Sequence, residues 1–117
     1  MDESRPIFQQ IAEQIENDII AGVLPEETQV PSTNEFAAFH RINPATAGKG
    51  VNLLVDTGIL YKKRGIGMFV APGARARLVA ERRDQFRELY VQPLLTEAGK
   101  LGITPSELSA MIEKGAI

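Results

Sequence analysis

Isoleucine occupies positions 7, 11, 15 and 19. A spacing of four returns to one face of an α-helix, whereas strand faces alternate every two residues. Phe8, Ala12 and Ile20 widen the stripe, so a helix over 7–21 must lie against a core. Pro6 suits the first helical position and Gly22 the stop.

A chain of 117 residues, 44% of them hydrophobic, suffices for one small domain or a compact domain with an appendage. It has no cysteine and one histidine, His40, so disulfides and thiolate or histidine-rich metal sites are excluded and a reducing cytoplasm is expected. His40 reads as a turn residue. The sequence lacks a membrane-length apolar run and a basic-then-apolar leader. No nucleophile, base and orienting group can be assembled, and the carboxylates scatter over helix surfaces, so neither an enzyme nor a cofactor is expected.

"GVLPEETQVPS" (22–32) reads as a loop anchored by Val23, Leu24 and Val30. Ser32 and Glu35 form a capping box for a short helix with Phe36, Ala37 and Phe39 on its apolar face. After a tight turn at His40 and Arg41, Asn43-Pro44 opens another helix, with Gly58 as its stop. Ala47, Val51, Leu54 and Val55 lie on its inner side. Two short helices across such a turn make a helix-turn-helix, with the second as the reader. "ILYKKRGIGMFVA" (59–71) follows as a basic β-hairpin turning at Gly65-Ile66-Gly67. "APGA" (71–74) marks a boundary. A long helix over about 75–98 comes next, kinked between Leu89 and Pro93 because proline removes a backbone hydrogen bond. Thr104-Pro105-Ser106-Glu107 caps a last helix. The expected fold is mostly α with a small β-hairpin: a winged helix-turn-helix head (1–72) and a two-helix segment (73–117).

The net charge of −2 hides an asymmetry. Residues 41–64 carry five basic side chains and one acid, about +4; residues 1–40 carry one base and eight acids, about −7. Such a local basic face steers a polyanion. The helix opening at Asn43 is nearly bare, with Ala45, Ala47, Gly48 and Gly50 in its first turns. Small residues let its backbone approach another surface, and its N-terminal N–H groups and dipole suit a phosphate. For Gly48 and Gly50 the competing reading is close packing against the first helix. Thr46 can meet a phosphate or a thymine methyl, and Lys49 a phosphate or a guanine. Asn43 is a cap, or a cap that also reaches phosphate. Arg41 belongs to the same basic stretch. Lys62, Lys63 and Arg64 would bring the wing to an adjacent groove, its tip shaped by Gly65 and Gly67.

"PIFQQIAEQI", "GVLPEETQVPSTNEFA", "INPAT" and "GILYKKRGIGMFV", in that order, resemble the winged-helix domain of GntR-type bacterial transcription regulators. "PIFQQI", the "NP" of the reader helix and the tail "VQPLLTEAGKLGITPSEL" resemble the YtrA-like branch, which has two dimerising helices instead of a large ligand domain. The chain departs from the family pattern at four places. Asn34 and Gly48 stand where arginines are common, Gly50 where alanine is usual, and Glu27 where a loop glycine is usual. The resemblance also implies that Ser32 and Thr33 approach the DNA backbone.

The resulting expectation is a sequence-specific regulator of transcription, a homodimeric repressor on a near-palindromic operator in double-stranded DNA. Its dimer would form through residues 75–114, burying Leu78, Phe86, Leu89, Leu94, Leu95, Leu101, Leu108 and Ile112. A small-molecule effector would sit at the dimer interface or between head and tail, or be absent. The alternative is a winged-helix protein–protein adaptor that does not bind DNA.

Overall fold

The computed structural model describes residues 4–115. The element order is α1 (Ile7–Ile20), α2 (Thr33–His40), α3 (Pro44–Asp56), β1 (Leu60–Lys63), β2 (Gly67–Val70), α4 (Ala74–Phe86), α5 (Gln92–Lys100) and α6 (Pro105–Gly115), with a π-helical turn at Arg87–Val91 between α4 and α5. The chain divides into two compact units, one ending at Val79 and the other beginning at Ala80. Among the described residues no helix is long and apolar enough to cross a membrane.

The local start signals act as their chemistry requires. Ser32 Oγ accepts the Glu35 amide at 3.1 Å while the Glu35 carboxylate accepts the Ser32 amide at 3.3 Å. Asn43 Oδ1 accepts the Ala45 amide at 2.8 Å, with Pro44 in the first turn of α3. Thr104 Oγ1 accepts the Glu107 amide at 3.1 Å. Each such cap contributes about 1 kcal/mol to its helix.

The first unit is built on α1. Ile11, Ala12, Ile15 and Ile19 are buried, whereas Ile7, at the end of the stripe, is 40% exposed. They join Phe36 and Ala37 of α2, Ala47, Val51 and Leu54 of α3, and Leu60 and Val70 of the hairpin in one core. Full burial of each isoleucine stabilises the fold by roughly 1.5–3 kcal/mol. At Gly50 the two helices come close: a Cβ there would lie 2.7 Å from the Phe8 backbone oxygen and 3.0 Å from Ile11 Cβ. Packing is therefore why Gly50 is bare. Gly48 differs, because its Cβ would meet only Thr33 Cγ2, at an ordinary 3.5 Å.

The strands pair antiparallel, Leu60 opposite Val70 through Lys63 opposite Gly67. The loop before α2 adds to the sheet: Gln29 bridges Phe69, and the Val30 amide bonds the Met68 carbonyl at 2.9 Å. Gly67 takes φ +148, and Gln29 Nε2 occupies the space a side chain would need there.

Two expectations are corrected. Phe39 does not face the core; it is 81% exposed. The inner face of α2 runs through Phe36, Ala37 and His40, and Phe39 lies about 110° from it at 3.6 residues per turn. His40 is half-buried between the two, its ring stacked 6.1 Å from that of Phe36 and edge-on 5.0 Å from that of Phe39. Second, the head does not end at 72. Ala74 and Leu78 of α4 are buried in its core, so Leu78, at 2% exposure, is a core residue and not part of a free seam. Where the sequence places a kink, the helix holds the π-helical turn Arg87–Val91. The Gln92 amide bonds the carbonyl of Arg87, five residues back. This wide turn directly precedes Pro93, which has no amide to continue the regular ladder.

In the second unit Phe86, Leu89, Leu94, Leu95, Leu101 and Ile112 are each between 43% and 64% exposed, while Leu108 is half-buried. Ala98 is its one buried hydrophobic residue among those described.

The glycines of α3 should respond differently to alanine. Gly50→Ala should destabilise the chain by about 1–3 kcal/mol through overpacking. Gly48→Ala should stabilise it by roughly 0.5–1 kcal/mol through helix propensity. Denaturant unfolding of both variants measures the contrast.

Candidate nucleic-acid interface

The candidate residues fall into two groups, linked through the core that α3 shares with the hairpin. The first lies on α2, the turn and α3. Ser32, Arg41, Asn43 and Lys49 are exposed, and Thr33 and Thr46 are half-buried. The second is the wing tip, where Lys62, Arg64 and Gly65 are exposed and Gly67 is half-buried. The tip is closed by the Ile66 amide on the Lys63 carbonyl at 2.9 Å, and Gln29 Nε2 bonds the Ile66 carbonyl at 3.0 Å.

The start of α3 carries no free amide, contrary to the expectation from its sequence. Pro44 has none, Ala45 donates to the Asn43 side chain, and Thr46 and Ala47 donate to the Asn43 carbonyl at 3.0 and 3.1 Å. The helix dipole remains, but the first amides are engaged, which leaves the side chains of Thr46 and Lys49 as the polar groups this end presents. At α2 the Ser32 cap serves Glu35. The amides of Thr33 and Asn34 lie in the first turn, where a helix offers no internal acceptor.

The electrostatic contrast between the stretches persists in the fold. Arg5, the single base of residues 1–40, pairs with Glu13. Among the described residues, no carboxylate forms a salt bridge with Arg41, Lys49, Lys62 or Arg64. Aromatic rings take that role for two lysines. Lys49 Nζ lies 4.1 Å from the centroid of Phe8, and Lys63 Nζ lies 4.3 Å from that of Phe69.

Two charged residues have positive φ, Arg41 at +55° and Glu27 at +66°. Arg41 closes α2 as a left-handed C-cap, a place that favours glycine. Glu27 has a compensating bond, its carboxylate accepting the Tyr61 hydroxyl. That bond foremost, with partial desolvation and the Glu27 charge acting the same way, raises the Tyr61 pKa above its ordinary value.

Sequence reasoning missed Phe8, Gln29, Arg75 and Arg77. Arg75 Nε bonds the Ile20 carbonyl at 3.0 Å, and Arg77 bonds the Thr57 carbonyl. Both arginines therefore cap helices from a distance. A signal existed for these two, since neither α1 nor α3 has a basic residue in its last turn. Phe8 and Gln29 gave none, because their roles arise only where α1 crosses α3 and where the loop joins the wing.

Arg41→Gly should raise stability by about 1 kcal/mol by removing the left-handed strain, while weakening association with duplex DNA. Thermal unfolding and an anisotropy titration of the same variant test the two directions together.

Residues 7–70 match the family model described as bacterial regulatory proteins, gntR family. The HTH-type transcriptional repressor YtrA of Bacillus subtilis is 28% identical over 111 residues, 95% of this chain and 85% of YtrA. A GntR family transcriptional regulator from Listeria monocytogenes superposes with a TM-score of 0.74 at 26% identity, covering 97% of this chain and 98% of that one. The DNA-binding domain of AraR, solved in complex with operator ORX1, is similar at a TM-score of 0.55 and 30% identity, over 61% of this chain and 87% of that one.

Proposed function

The chain belongs to the gntR family of bacterial regulatory proteins, and from that premise we propose that it is a homodimeric repressor whose two heads occupy a near-palindromic operator. The observation that carries this reading is the exposed basic set on α3, the turn and the wing, free of carboxylate partners among the described residues. Thr46 and Lys49 on α3 enter the major groove, with Arg41 at the preceding turn on the backbone. Lys62 and Arg64 carry the wing, shaped by Gly65 and Gly67, to the adjacent groove. Ser32, Thr33 and Asn43 lie against the sugar-phosphate backbone, their caps holding the helix starts in place. The similarity to YtrA, named a repressor, and to the operator-bound AraR domain supports this direction of action. Repression follows when an occupied operator blocks the transcription machinery.

The dimer forms through the second unit, which shortens the proposed tail to begin at Ala80 rather than 73. Its exposed Phe86, Leu89, Leu94, Leu95, Leu101 and Ile112, with half-buried Leu108, supply an apolar surface that two copies can bury together.

Binding to a duplex selected from a random library should weaken steeply with salt, by about 0.9 log unit per log unit of salt for each phosphate neutralised. Lys49→Ala with Arg64→Ala should abolish that binding in an anisotropy titration and leave the dimer intact. Undiminished affinity would remove the assigned contact surface. Leu89→Asp should yield monomers in analytical ultracentrifugation, and a stable dimer would contradict the assigned seam.

A further inference from the structure

Lys49 and Phe8 come from different helices, yet the lysine ammonium lies over the phenyl ring at 4.1 Å from its centroid. Phe8 is only half-buried and stands outside the buried core. The pair borders an open trough of about 540 Å³ along the outer face of α3, lined also by Ala45, Gly48, Asn52, Leu53 and, two turns beyond Lys49, Asp56, which forms no salt bridge with the lysine. Gly48 leaves this trough without a side chain beside the lysine.

An aromatic face attracts a cation without neutralising it. A carboxylate would also hold Lys49, but it would cancel the charge that a phosphate requires. An unsupported lysine carries large rotamer entropy on its four-carbon stem. The ring holds the ammonium at one edge of the trough without consuming its charge. The wing repeats the arrangement: Lys63 Nζ lies 4.3 Å from the Phe69 centroid and 5.9 Å from that of Tyr61.

We propose that Phe8 is a positioning residue, holding the Lys49 ammonium charged and pre-ordered at the edge of the α3 trough for a DNA phosphate. This rests on the DNA-binding reading above. Apparent affinity scales with the fraction of molecules in the competent conformation, and a ring contact at an exposed site shifts that fraction by about two- to fivefold.

The test is a double-mutant cycle on the full chain, with a duplex selected by the wild-type protein from a library of short random sequences. Phe8→Leu keeps apolar bulk and should weaken binding by about two- to fivefold, while Phe8→Tyr should retain affinity. In the Lys49→Ala background Phe8→Leu should change nothing. The salt slope should stay the same in Phe8→Leu and fall by about 0.9 in Lys49→Ala. In the wild type, the Lys49 Cε protons should show an upfield ring-current shift that Phe8→Leu abolishes; this readout needs no DNA. Equal weakening in both backgrounds, full affinity in Phe8→Leu, or no ring-current shift in the wild type would overturn the proposal. Failure of the wild type to select any duplex would instead contradict the DNA-binding reading, and the proposal with it.

Discussion

At Gly50 the third helix presses against the first with no room for a side chain, the position of a Cβ falling 2.7 Å from the Phe8 carbonyl oxygen. This approach sets the register of α3 on α1. Gly50 and Val51 turn inward, together with Ala47 and Leu54. Lys49, one residue and about 100° away on the helix, must then face outward beside Phe8. The closeness that costs helix propensity thus also creates the ring–ammonium contact. A single packing constraint joins the core to the outer face of the reader helix.

Charge is organised around the same frame. The acidic stretch of residues 1–40 absorbs its one base in an ion pair with Glu13. The basic stretch keeps its cations, supporting two of them with rings instead of carboxylates. A ring fixes position and leaves charge available, which suits a surface facing a polyanion. Arg75 and Arg77 show a different use of arginine, stabilising the carbonyl ends of α1 and α3 from the start of α4.

Much of the fold was legible because its signals are local. The isoleucine stripe, the Ser32–Glu35 box, Asn43-Pro44, the hairpin glycines and the Thr104–Glu107 box each act within a few residues, and each lies where the sequence places it. What was misread depends on tertiary contact. Phe39 has the right chemistry for a core but the wrong angle on a two-turn helix. Leu78 has a seam-like spacing, yet the head claims it before any partner can. The free amides expected at the start of α3 were consumed by its own proline and cap. Gly48 and Gly50 look alike in sequence, and only the crossing of α1 tells them apart.

The central claim is that the outer face of α3 and the wing tip meet DNA while the acidic stretch does not. Amide chemical-shift mapping of the full chain with a selected duplex tests this most directly. The account predicts the largest changes at Thr46 to Lys49 and at Lys62 to Gly65, with residues 13–27 nearly unmoved. Changes gathered on residues 13–27, with α3 and the wing silent, would contradict it.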